Sequence, residues 1–266
     1  MADTRTSALN VLVCVKRVPA PGARITLTAD HTAIDVKNLG FTTSPHEECA
    51  VEEAIRLVEK HGGQATVLTL GPAESEEQLR YAVSVGIARA VHVSHPSLTG
   101  QADWDPQSTA AALADVIASL EAADCPFDLI LFGNESADSG GFQVGVRVAR
   151  KLGRPIVNGI KAIDIAETAV TAQRESTSGF EVYNLPLPAV LGVKEGLNLP
   201  RYPTLPGRLK SKKAEVVART SEPVGGGLST ENFDNAAEVV VQTTMLGTGT
   251  DAAPAIVDLI ERLGLL

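Results

Sequence analysis

Short apolar runs alternate with amphipathic stretches along the first half of this 266-residue chain. Val11–Val15, Thr66–Leu70, Ala90–Val93 and Leu129–Phe132 are dominated by apolar side chains. That pattern marks strands covered on both faces, as in a parallel sheet. Between them the period becomes helical. Ser44-Pro45-His46-Glu47 reads as a helix start: Ser44 is the N-cap, Pro45 takes the first helical position and Glu47 completes a capping box. The helix runs to about Lys60, with Ala50, Val51, Ala54, Ile55 and Val58 on the core face and Glu52, Glu53, Arg56 and Glu59 opposite. Gly62-Gly63 ends it. Further helices are expected over Glu74–Val85, from Pro106 through Leu120, and over Val144–Leu152. The alternation predicts an α/β fold, a doubly wound and mostly parallel sheet with helices on both faces. A short hairpin over Arg24–Leu27 and Thr32–Val36 interrupts it, and Ser97–Asp105 is polar and irregular.

After Arg154 the pattern changes. Lys161–Ile165, Val170–Glu175 and Phe180–Asn184 read as a small antiparallel excursion, and Pro188–Val193 as a return to the main sheet. A proline-rich loop follows, Glu195–Gly207, leading into Arg208, Lys210, Lys212 and Lys213, the densest basic cluster in the sequence. From Thr220 the chain loosens, with Val239–Val241 and a short amphipathic helix over Pro254–Leu263. These divisions give an α/β domain over 1–220, which includes the loop 195–213, and an extended C-terminal arm over 221–266. The apolar stretches of the arm suit packing on a partner.

Composition narrows the partners. A hydrophobic content of 44% is ample for a core, and aromatics at 4% leave that core to Val, Leu, Ile and Ala. The net charge of −9 argues against nucleic acid as the main ligand. The three cysteines, Cys14, Cys49 and Cys125, lack metal-type spacing and read as reduced. Met1–Leu9 has no signal-peptide layout and no run reaches the ~20 apolar residues of a membrane span, so a cytoplasmic location is expected.

The candidate chemistry lies in Asp128–Gly145. A buried strand stops at Gly133, a loop of small residues follows, and a helix starts near Val144. Such a turn points backbone N–H groups and a positive dipole end at one place, which suits a phosphate. Glycines let the ligand approach, and Asp138 offers an acceptor for a sugar hydroxyl or a base. The spacing is neither G-x-G-x-x-G nor a P-loop, so an ordinary strand–loop–helix connection fits it as well. His46 beside Glu47 and Glu48 reads as a helix-end histidine, with no ligand set for a metal around it. No nucleophile–base arrangement has motif support, and no catalytic residue is expected.

Several of these segments together resemble the β subunit of electron-transfer flavoproteins. They are Val11–Val18; Pro45 with Ala50-Val51-Glu52-Glu53-Ala54; Leu70-Gly71-Pro72; Gly133 with Asp138 and Gln143-Val144-Gly145; Leu187-Pro188-Ala189-Val190; and Asn198-x-Pro200-Arg201-Tyr202-x-Thr204-Leu205-Pro206. They occur in family order from about Val11 to Lys213. The resemblance implies an adenine nucleotide hydrolase-like sheet and a heterodimer whose α subunit holds most of a redox-active FAD. The β subunit would help enclose that FAD and bind AMP, or a second FAD in electron-bifurcating members. Electrons would pass from flavin dehydrogenases to a quinone oxidoreductase or similar acceptor.

By the same resemblance, Cys14, Ser44, Pro45, His46, Glu47, Leu70, Gly133, Asp138, Ser139, Gly140, Gly141, Phe142, Gln143 and Val144 would line the nucleotide site. Glu175 would face the flavin region. Leu205, with Tyr202 and Pro206, would dock on the partner dehydrogenase. The chain departs from the family at Ser44, often Asn in relatives, and at Ser139–Phe142, often acidic residues with an Asn. It also has Val144 for the commoner Thr, and Pro21 where many relatives place an aromatic. The departures at Ser44, Ser139–Phe142 and Val144 leave more room and fewer polar side chains, which leaves open a bulkier ligand than AMP, while Pro21 implies a different contact to the flavin. A stand-alone adenine-nucleotide hydrolase is the rival reading, and it would need an activating Lys, Ser or metal carboxylates that Gly140-Gly141-Phe142 does not supply. A nucleotide-sensing module without an α partner is the third.

Overall fold

Strand β1 (Leu9–Cys14) is buried along its whole length, and its residues point alternately into two cores. Leu9, Val11 and Val13 face one side of the sheet, while Leu12 and Cys14 face the other. The period-2 geometry of a strand dictates that alternation. The apolar runs that follow become β4 (Gly63–Leu70), β5 (Arg89–Ser94), β6 (Leu129–Gly133) and β10 (Ala189–Val193). Between them lie α1 (Pro45–His61), α2 (Glu76–Val85), α3 (Pro106–Ala123) and α4 (Val144–Leu152). Helices α1 and α2 pack on the Leu9–Val11–Val13 face, and α3 and α4 on the opposite one. The computed structural model describes residues 8–94, 104–225, 227–236 and 243–265.

Among the described residues the main sheet has nine strands in the order β11-β5-β4-β1-β6-β10-β7-β8-β9, with β7 (Ile156–Ile165), β8 (Ala169–Ser176), β9 (Gly179–Pro186) and β11 (Val216–Thr220). Every pairing from β11 to β7 is parallel, and β7-β8-β9 is antiparallel. The antiparallel excursion is therefore an extension of the main sheet. From β1 the chain adds β4 and β5 on one side and then β6 on the other, which puts the topological switch point between β1 and β6. Open α/β sheets bind ligands at the carboxyl ends of strands flanking such a point.

Several expectations need correction. The hairpin over Arg24–Val36 reduces to one bridge, Leu27 to Ile34, and its root is a two-residue pairing of β2 (Val18–Pro19) with β3 (Phe41–Thr42). The loop 195–213 is half helix: α5 (Leu205–Lys213) starts at Thr204, whose hydroxyl accepts from the Gly207 N–H at 3.2 Å. Edge strand β11 pairs with β5 where no strand was expected. Glu52 and Glu53, assigned to the solvent face of α1, are only 6% and 8% exposed.

The chain divides into two compact units, Met1–Phe233 and Asp234–Leu266. In the first, Ser108 Oγ donates to the Val224 carbonyl at 2.7 Å and the Leu228 N–H donates to Asp105 at 3.0 Å, fixing the segment after β11 to the start of α3. In the second, a short 3-10 turn at Gly249–Ala252 leads into α6 (Ala253–Arg262). Val239–Val241 and most of the Ser97–Asp105 segment lie outside the described residues.

Candidate functional site

The start of α1 is fixed before any ligand is considered. Ser44 Oγ accepts from the Glu47 N–H at 3.3 Å, and Glu47 Oε2 accepts from the Ser44 N–H at 3.1 Å, the reciprocal pair of a capping box. The other oxygen, Oε1, accepts from the Lys16 N–H at 3.0 Å, just past the end of β1. One buried carboxyl thus joins the α1 N-terminus to the tip of the first strand. Burial pushes it up to about 8, against the pull of the Ser44 and Lys16 amides and the Lys16 charge. Cys14 sits beside it, and burial followed by the Glu47 charge pushes the thiol well above its ordinary range.

Gly133, at the end of β6, lies against the same turn. A Cβ at Gly133 would stand 2.7 Å from Glu47 Cγ and 3.3 Å from His46 Cβ, closer than packed carbons sit. The glycine is required by the approach of the central strand to α1. His46 is held at both ring nitrogens: the Glu195 N–H donates to Nδ1 at 2.8 Å, and Nε2 lies 3.3 Å from Glu135 Oε1. This imidazole is a strut between two loops. Among the described residues, no group of three metal-ligating side chains comes together.

Asp138 is the central loop's link to β1. Its carboxylate meets Lys16 Nζ at 2.8 Å and accepts from the Ser139 N–H at 2.8 Å. Ser136 Oγ and Ser139 Oγ are 2.7 Å apart, and the Gly140 N–H donates to the Ser136 carbonyl at 2.9 Å. Beyond that turn the loop opens. A Cβ at Gly140 would meet nothing within 4 Å, and one at Gly141 would meet only Ser139 Oγ at 4.0 Å. Phe142 is half exposed with a φ of 52°, the left-handed region that a bulky residue seldom occupies. Gln143 Oε1 accepts from Arg147 at 3.0 and 3.2 Å, and Val144 opens α4, whose first-turn amides have no intrahelical acceptor.

Cys14, Ser44, Pro45, His46, Glu47, Gly133 and Asp138 are thus drawn together around the tips of β1 and β6. Leu70 ends β4, the strand next to β1, and Ser139–Val144 form the open rim. Lys16 is the member that sequence reading missed, and its place directly after an apolar strand is the signal that pointed to it. Glu175 lies elsewhere, near the β8–β9 turn, paired with Lys161 at 2.9 Å. Leu205, Tyr202 and Pro206 form a separate surface at the start of α5, where Leu205 is 72% and Tyr202 90% exposed.

Comparison with known proteins identifies the architecture. Residues 33–224 match the model of the electron transfer flavoprotein domain. Over 240 residues the chain is 32% identical to a protein of Mycobacterium tuberculosis (strain ATCC 25618 / H37Rv) named electron transfer flavoprotein subunit beta, covering 88% of both chains. The protein of that name from Bacillus subtilis (strain 168) is 34% identical over 205 residues, 77% of this chain and 76% of its own. The mitochondrial electron transfer flavoprotein subunit beta of Oryza sativa subsp. indica is 32% identical, with 80% and 83% covered. These likenesses over most of its length place the chain in the electron transfer flavoprotein β-subunit family.

Proposed function

We propose that this chain is the β subunit of a heterodimeric electron carrier. It holds AMP in the crevice between β1 and β6 and closes over the FAD of an α subunit. The carrier takes electrons from flavin dehydrogenases and delivers them to a quinone oxidoreductase or similar acceptor. The observation that carries the reading is the convergence of two helix N-termini, α1 and α4, on the tips of adjacent parallel strands at the switch point.

The residues fit an adenylate. Amides of the first turn of α4 and the open Gly140–Gly141 backbone suit a phosphate, with Lys16 supplying positive charge. Burial raises Glu47 to about 8, which lessens the negative charge it puts beside that anion. Asp138 is left to orient the sugar or base through the oxygen edge that Lys16 fixes. FAD, held mainly by the α subunit, supplies the redox chemistry; this chain positions and shields it. Glu175 is proposed to face that flavin region, and the C-terminal arm 221–266, in its part beyond Phe233, to pack on the α subunit. Leu205, Tyr202 and Pro206 form the docking surface for dehydrogenases, and the cytoplasm is the proposed compartment. The open space over Gly140 and Gly141 favours one variant of this reading, a second FAD in the AMP position.

Co-expression with the α subunit tests the reading. The expected product is a yellow heterodimer that releases one FAD and one AMP on acid denaturation, quantified by chromatography and mass spectrometry. Two FAD and no AMP select the bifurcating variant. A colourless single chain without adenylate overturns the proposal.

A further inference from the structure

A strap runs from Glu195 to Thr204 along the outer side of α1, and its side chains divide by direction. Asn198 and Arg201 turn inward. Asn198 Nδ2 donates to the Cys49 carbonyl at 3.0 Å and to Glu53 Oε2 at 2.9 Å, while Cys49 Sγ lies 3.6 Å from the Asn198 carbonyl. Arg201 meets two glutamates. Its Nε and Nη2 donate to Glu52 at 2.9 and 3.1 Å, and its Nη1 and Nη2 donate to Glu59 at 2.7 and 2.9 Å. The Arg201 N–H also donates to Glu52 Oε2 at 3.1 Å. Glu52 and Glu59 are two helical turns apart and share a face of α1, so one planar guanidinium engages each of them in bidentate fashion.

Leu199 and Tyr202 turn outward with Leu205, at 89%, 90% and 72% exposure. Leu197 packs on the core at one end of this stretch, and Gly207 lies close against Ser84 of α2 at the other. A narrow cleft of about 10 Å³, room for about one water, lies between α1, α2 and the strap and is walled by Val51, Gln78, Tyr81, Pro200 and Arg201. The hydrogen bonds from Asn198 and Arg201 fasten the strap beyond Leu197 to α1. Ordering flexible side chains and loops is a main cost of association, and fixing them beforehand lowers it.

We propose that Arg201, gripped by Glu52 and Glu59, is a positioning residue for electron transfer, holding Leu199, Tyr202 and Leu205 in the shape that an apolar pocket on a flavin dehydrogenase receives. The proposal rests on the docking role of Leu205 given above. The grip keeps the anchor presented between encounters, so the dehydrogenase meets a formed surface rather than a mobile one.

The test uses the co-expressed heterodimer and a flavin dehydrogenase that reduces the wild-type protein. Arg201→Gln is expected to raise KM for the dehydrogenase about tenfold with kcat within twofold, because docking suffers and the flavin does not. Hydrogen exchange of peptides spanning 199–205 should quicken at least tenfold, with peptides of β1 and β6 unchanged. Arg201→Lys keeps the charge but not the double fork, and should recover less than half of the lost affinity. Where Arg201→Gln fails to assemble, Glu59→Gln, at the exposed end of the grip, carries the same measurements. Leu205→Ala reports on the docking reading separately. If it raises KM while Arg201→Gln and Glu59→Gln leave KM and exchange at wild-type values, the grip is idle and the proposal falls. Full recovery by Arg201→Lys also overturns it, since charge alone would then suffice. If Leu205→Ala leaves KM unchanged, the docking reading fails and takes the proposal with it.

Discussion

Helix α1 carries glutamates in two contrasting settings. Glu47, in its first turn, is buried, faces backbone amides and is raised to about 8. Glu59, in its last two turns, is held below the ordinary carboxylate range chiefly by its hydrogen bonds from Arg201. Between them Glu53 is raised by burial, with the Asn198 hydrogen bond opposing. One side-chain type on one helix thus does two kinds of work. The inner acid ties the start of α1 to the tip of β1 through backbone amides, and the outer one, Glu59, fastens a surface through its pairing with Arg201. Solvent access and partner type decide which.

The largest effect expected from this contrast is in pH dependence. Glu47 has a folded-state pKa above its ordinary value, so its contribution to stability is full below about 4.5 and is lost as pH rises toward 8. Urea unfolding of the heterodimer should therefore show stability falling over that window, at a limiting slope of about 1.4 kcal/mol per pH unit. Glu47→Gln should flatten it. Glu59 behaves in the opposite sense: its contribution is present above its ordinary pKa and lost as pH falls through the lowered one. An unfolding profile unaltered in Glu47→Gln between pH 5 and 8 would remove the contrast.

Next in size is Gly133→Ala, which drives a methyl into Glu47 and the first turn of α1. Overpacking of this kind costs about 2 kcal/mol, and adenylate content per heterodimer should fall with it. Ser44→Ala deletes the cap and should cost about 1 kcal/mol by the same unfolding measurement. Leu205→Ala is expected to be smallest, within about 0.5 kcal/mol, because the side chain is already solvated. A stability loss above that would place Leu205 in the domain's own packing and not in docking.

The central architecture was legible because its signals are local. Ser44-Pro45-His46-Glu47 contains a whole capping box within four residues, and β1 and β6 announce themselves as apolar runs with a break at the tip. What stayed hidden depends on partners distant in sequence. Burial of Glu52 and Glu53 is stabilised by Arg201 and Asn198, about 150 positions away, and no helical period reveals that. Edge strand β11 is short and mixed, and β5 supplies the pairing that defines it. The start of β7 contains Asn158-Gly159, residues that weaken a strand signal, yet β10 pairs with it through a register shift there. Helix α5 was masked by Pro203 and Pro206, although Thr204 followed by Leu205-Pro206 carries the cap and early proline of a helix start. In the crevice, Asp138 was read as a ligand acceptor, and its bond to Lys16 spans 122 positions.

The strap's alternation has a consequence for how such a carrier changes customers. Asn198 and Arg201 carry the fastening, and Leu199, Tyr202 and Leu205 face the solvent, so attachment and exposed surface are written on different letters of one short word. If the outward letters dock the electron donor as proposed, they can be respelled for a new one without touching the grammar that keeps the word attached to the domain.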